Sequence, residues 1–126
     1  MIARYLAAVG AFFYLISGGW AFAFPVGFYE TVATFSPYNL HLIHDAGAFQ
    51  LGIGIGLLAA AVLGRGLTAA LLGAAAASLL HIAAHVLDIH LGGHPATDLP
   101  VLLLMAAILL VALALHVRGQ PESSRR

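Results

Sequence analysis

The sequence predicts an all-α fold, a four-helix transmembrane bundle in a single domain, and three observations carry that prediction. Of the 126 residues, 62% are hydrophobic and 8% charged, against the roughly 25% charge that a water-exposed surface needs. The apolar residues fall in four stretches, about 5–24, 40–63, 67–87 and 99–117. Each is near the ~20 residues with which a helix crosses ~30 Å of hydrocarbon. The breaks between the stretches hold turn and cap residues.

Taken in order, Pro25 follows the first span and Asn39 stands as N-cap of the second. Gly64-Arg65-Gly66 forms a tight turn into the third span, Asp98 ahead of Pro100 opens the fourth, and Gly119 and Pro121 close it. The membrane domain is 1–118, and 119–126 is a polar tail. Arg4, Arg65, Arg118, Arg125 and Arg126 all fall on one side of this topology, which the retention of positive charge in short cytoplasmic loops makes the inside. Both termini are then cytoplasmic, loops 25–39 and 88–97 face outward, and the chain is a multi-pass protein of the inner cell membrane. A rival reading takes 1–23 as a cleaved signal peptide, with Arg4 in its basic region and Ala21-Phe22-Ala23 as the cleavage site. The length of the apolar stretch and the aromatics Trp20 and Phe22 favour a span.

Composition narrows the partners. With no Lys and no basic run near the start or middle, the electrostatic footprint of a nucleic-acid binder is missing. With no Cys, any metal must be held by His and carboxylates. The glycines of Gly52-Ile53-Gly54-Ile55-Gly56 lie inside a span, where they serve packing rather than phosphate binding. Lipid is the expected surrounding partner, and Gly-rich and aromatic surfaces on so small a bundle point to a homo-oligomer.

The seven His and five acids do not scatter over this topology. His41, His44 and Asp45 lie in the first turns of the second span, and His81, His85 and Asp88 in the last turns of the third. Glu30, His90, His94 and Asp98 occupy the outer loops, leaving His116 and Glu122 at the cytoplasmic end. At ~1.5 Å per residue, His81 lies ~22 Å from the Gly66 turn, inside the outer boundary of the core. The spacings 41/45 and 81/85/88 put each set on one helical stripe. Both stripes continue inward as small residues, Ala48, Gly52 and Gly56 on one span and Ala70, Ala74, Ala77 and Ser78 on the other. Small residues let helices approach closely in lipid, so the expectation is a tight pair of spans two and three, capped by converging imidazoles and carboxylates.

Charged groups in hydrocarbon cost a few kcal/mol each unless compensated, and one compensation is a metal. His41, His44, Asp45, His81, His85 and Asp88 form a ligand set sufficient for one or two Zn, Cu or Fe ions. An open metal position would activate water or oxygen against a small lipid-soluble substrate, whereas a closed site would store or deliver metal. Haem b between two axial His is a further reading. The metal-free readings are a buried Asp45–His81 ion pair with interfacial His, a proton relay or pH switch, and a docking surface for a partner subunit. The aromatics Phe28, Tyr29, Phe35 and Tyr38 read as a membrane-surface belt, with Glu30 an exposed acid on it or, if segment 24–38 folds back over the site, a ligand or general base, and His90 and His94 loop residues.

The run Pro37-Tyr38-Asn39-Leu40-His41, followed by Asp45-Ala46-Gly47-Ala48-Phe49 and later by His81 to His85, resembles an uncharacterised family of small bacterial four-helix membrane proteins. That resemblance spans most of the chain and implies the four-helix fold and the pairing of His41 and Asp45 with His81 and His85. It implies no activity. A more distant likeness to membrane zinc hydrolases of the alkaline ceramidase and adiponectin receptor type is one of ligand set alone, because Ser78 and His81 are three apart rather than four and the helices are too few.

Overall fold

The computed structural model describes residues 1–120. It is all-helical: α1 (Ile2–Ala23), α2 (Pro25–Thr31), α3 (Leu40–Leu63), α4 (Leu67–Leu87) and α5 (Pro95–Arg118). The four long helices are each long and apolar enough to cross a membrane. Only 22% to 33% of the most apolar window of each is buried inside the bundle, so most of their apolar surface faces outward and requires lipid around it. Pro121, Glu122, Arg125 and Arg126, which entered the tail and orientation readings, lie outside the described residues.

Local chemistry explains most of the boundaries. The Asn39 side chain accepts from Leu42 N at 3.2 Å and caps α3, as its residue type predicts. Gly64 and Gly66 both adopt φ of +69°, a conformation that side-chain-bearing residues rarely take, and together they reverse the chain between α3 and α4. Two boundaries differ from expectation. Pro25 ends α1 and, with its preset φ, also starts the short helix α2 in what reads as a loop. Helix α5 begins at Pro95 rather than near 99, and Asp98 is not its N-cap. One turn inside the helix, the Asp98 carboxylate reaches back to accept from His94 N at 2.7 Å, satisfying a donor that the helix start leaves unpaired.

Helices α1, α3, α4 and α5 form a ring in which α1 packs most extensively on α3, α5 joins α1 to α4, and α3 and α4 touch more sparsely. The expected tight pairing of spans two and three is therefore corrected, and the reason is the phase of the small residues. Gly52 and Gly56 have nothing within 4 Å of where a Cβ would stand, and with Ala48 they are exposed. The close approach uses Gly47 and Gly54 on the other face. A Cβ on Gly47 would lie 2.8 Å from Phe22 N and 2.9 Å from Gly18 O, and one on Gly54 would lie 3.1 Å from Ala11 O. Helix α1 offers the matching surface, burying Ala3, Ala7, Gly10, Ala11, Gly18 and Ala21 at helical spacing.

The ring has two ends. At one, Arg4, Arg65 and Arg118 lie near helix termini, and Arg4 does more than mark a side: its Nε and Nη2 each donate at 2.6 Å to the Ala61 and Val62 carbonyls. These belong to the last turn of α3, where backbone acceptors are unpaired and a cation is favoured. The adjoining core is dense, with Leu57, Leu71 and Leu109 fully buried. At the other end lie α2, the 32–39 and 88–94 segments and all the remaining described His residues except His116. There the two segments clasp each other through a bridge between Phe35 and Gly92 and a 3.2 Å bond from Gly93 N to Thr34 Oγ1.

Candidate functional site

The His end contains a cavity of about 670 Å³ lined by all five helices. Its walls are largely apolar, including Phe13 and Trp20 of α1, Phe28 of α2, Phe49 and Ile53 of α3, and Leu102 and Met105 of α5. Into this surface project Tyr14 and Ser17 from α1, Gln50 from α3, Ser78, His81 and His85 from α4, and Thr97 and Asp98 from α5. The cavity lies where α3 and α4 touch sparsely, with Ala46 of α3 and Ala77 and Ser78 of α4 in its wall and α2 at its rim. Phe28 is buried against Trp20 (ring centroids 5.5 Å apart, edge to face) and packs with Ala21 and Ile43. It is a structural residue of the rim rather than a surface-belt aromatic. Ile16 and Phe49 line the cavity yet are 69% and 75% exposed, so the cavity opens sideways through the bundle wall.

The polar groups lie at definable depths. Tyr14 Oη and Ser78 Oγ are 2.6 Å apart and buried, and Ser78 Oγ donates to Ala74 O at 3.0 Å. This network ties α1 to α4 at the cavity floor. Next to it, Ser17 Oγ stands within hydrogen-bond reach of Phe13 O and the Gln50 amide. Higher on α4, His81 and His85 meet edge to face at 4.7 Å between centroids, and Phe35 covers His85 at 6.1 Å. Asp98 of α5 lines the same cavity.

The six residues singled out as ligands separate into several places. His81 and His85 line the cavity. His41 and Asp45 pair with each other at 3.4 Å across one turn, with side chains 87% and 50% exposed. His44 packs on Phe22 with centroids 5.4 Å apart, and Asp88 is the exposed C-cap of α4. Among the described residues, no three His, Cys, Asp or Glu side chains gather in a way that could hold a metal ion. Depth explains the separation. His44 stands beside Phe22, while His81, three residues past Ser78, is level with Ser17, a difference of five α1 residues or ~7.5 Å of axial rise.

Glu30 is exposed and His90 and His94 lie outside the helices, as read from the sequence. His116, in the last turn of α5, contacts Gln120 Nε2 at 3.1 Å. Of the polar cavity residues, sequence reasoning passed over Tyr14, Ser17, Gln50 and Thr97, and placed Asp98 in an outer loop. One signal was available: Gln50 is the one Gln inside an apolar stretch, and an amide in hydrocarbon needs a partner. No family model, curated protein or solved structure matches the chain. The fold and this site define an all-helical bundle with four helices long and apolar enough to cross a membrane, and a side-opening, largely apolar cavity that carries a few polar groups.

Proposed function

We propose that the protein is a multi-pass protein of the inner cell membrane, with both termini cytoplasmic, that binds a small lipid-soluble molecule in the cavity at the outer ends of its helices. The gathering of Arg4, Arg65 and Arg118 at the opposite end supports that orientation. The observation that carries the reading is the cavity itself. At about 670 Å³ it is in the range of small-molecule sites, and it joins apolar walls to a few convergent polar groups. Its side opening at Phe49 faces the hydrocarbon, so a lipid-soluble molecule can enter without crossing water. His81 and His85, which among the described residues hydrogen-bond to no other side chain, are able to donate or accept protons at the bound molecule. The test is extraction of the purified protein with organic solvent and mass spectrometry of the extract. One apolar compound per chain in the wild type, depleted in a His81→Ala/His85→Ala variant, is expected. Only bulk membrane lipid in both would sink the reading.

A second reading keeps a transition metal, Zn, Cu or Fe, at the same wall, favoured by the i, i+4 presentation of His81 and His85 toward one cavity. In it, His81 and His85 would hold the ion, while His41, His44, Asp45 and Asp88 lie away from that wall. Elemental analysis of the same two preparations tests it: a stoichiometric metal lost in the double variant supports the ion. A Soret band would assign haem b instead, which His81 or His85 would hold.

A further inference from the structure

The hydrogen-bond inventory of the cavity specifies the polar group its occupant carries. The inference deepens the reading of the cavity as a binding site and rests on it. At the floor the inventory closes, since Ser78 donates to Ala74 O and Tyr14 donates to Ser78. One turn further out it does not close. Ser17 Oγ has a single proton and two acceptors in reach, Phe13 O at 2.9 Å and the Gln50 amide. Both contacts are satisfied together when the Gln50 amide is turned end for end, exchanging only O for N. Gln50 Nε2 then donates to Ser17 Oγ, and Ser17 donates to Phe13 O. This orientation leaves Gln50 Oε1 as an acceptor at the cavity wall with no other side-chain partner among the described residues.

His81, an exposed residue of α4, lines the same cavity. Helices α1 and α4 run in the same direction, and Tyr14 and Ser78 fix their register. Three residues along each, Ser17 and His81 share one depth and the cavity-facing side. Gln50 joins that layer through Ser17. The layer therefore presents an unspent amide acceptor and an imidazole able to donate, set in apolar walls. A hydroxyl is the group that uses both, giving its proton to one and its lone pair to the other. We infer that the cavity takes a lipid-soluble alcohol or phenol, its hydroxyl donating to Gln50 Oε1 and accepting from the His81 imidazole. Carbonyl compounds and ethers lack the donor and leave the partly buried amide oxygen unpaired, a deficit worth about tenfold in affinity.

Trp20 is the sole Trp of the chain and lines the cavity one turn from Ser17, so its fluorescence reads occupancy directly. The experiment titrates the wild-type protein in lipid nanodiscs with 3-bromo-5-nonylphenol, its methyl ether and 3-bromononylbenzene, whose bromine quenches a neighbouring indole. Saturable quenching by the phenol at about tenfold or more lower concentration than by the other two is expected. Gln50→Leu should bring the phenol to the level of the ether. Saturable quenching by all three at equal concentration overturns the hydroxyl assignment while the cavity stays a binding site. Quenching that never saturates with any probe overturns the binding reading beneath it. The wild-type comparison needs no variant to fold.

Discussion

At the Arg end of the bundle, Leu57, Leu71 and Leu109 are fully buried, and a Cβ on Gly10 would already lie 2.7 Å from Leu109 Cδ2. At the His end, the same four helices, continued for two or three turns, stand around a cavity of about 670 Å³ whose wall includes the exposed Phe49 and Ile16. Both ends are apolar, so hydrophobicity does not distinguish them. In lipid an apolar side chain gains little by moving from tail to core, and what packs a bundle is the fit of small residues against large ones. The Arg end shows that fit where Gly10 of α1 meets Leu109 of α5 and Leu57 of α3. At the His end it is shown between α1 and α3, at Gly18 and Gly47, and polar side chains line the space beside that seam.

Substitutions break or sharpen this contrast in a definite order, readable as shifts in unfolding free energy by denaturant titration in mixed micelles. The largest effect belongs to the seam that holds both ends together. Gly47→Leu drives atoms into the α1 backbone at Phe22 N and Gly18 O, and a loss of about 3 kcal/mol is expected, the upper range for overpacking. Next comes a matched pair of truncations. Leu109→Ala opens a void in the dense half and should cost about 2 kcal/mol, the low end of the soluble-core range, because no transfer from water is lost. Leu102→Ala, beside an existing cavity, should cost less than half as much, and equal costs would erase the distinction between the halves. Arg4→Leu removes two side-chain bonds to the end of α3 and should cost about 1–2 kcal/mol, while Arg65→Leu, in the exposed turn, should be near neutral. The smallest effect is that of His41→Ala. Its pair with Asp45 is solvent-exposed, so a change within about 0.5 kcal/mol is expected, with no change in cavity occupancy.

The parts of the molecule that were legible in the sequence are those fixed by neighbours along the chain. Four apolar runs set four long helices, Asn39 announces its cap, and Gly64-Arg65-Gly66 announces its turn, because each depends on a few adjacent residues. The choice of helix partners was less accessible. Span three of the ring, α4, follows α3 directly, and small residues line both, yet α3 carries two small-residue faces one residue out of phase: Ala48, Gly52 and Gly56 on one, Gly47 and Gly54 on the other. Only the second meets a complementary surface, the series Ala3, Ala7, Ala11, Gly18 and Ala21 on α1. That series was present in the sequence and names α1 as the hub. The candidate site was half legible for the same reason. His81 and His85 stand together as one-turn spacing demands, but rotating α3 onto α1 leaves His41 and Asp45 outside and brings Gln50 in. A lone amide among apolar residues gives no periodic signal, so its role emerges only from the helix it faces.

Occupancy of the His-end cavity is the central claim, and filling it from the wall tests it most directly. Ala77 lines the cavity from α4 and is partly buried, so Ala77→Phe places a ring in the space without touching the Arg-end core. Native mass spectrometry of wild type and variant released from nanodiscs should show one adduct of a few hundred daltons on the wild type. The account predicts that this adduct is absent from the variant while its unfolding midpoint is unchanged. Identical adducts on both proteins would contradict it.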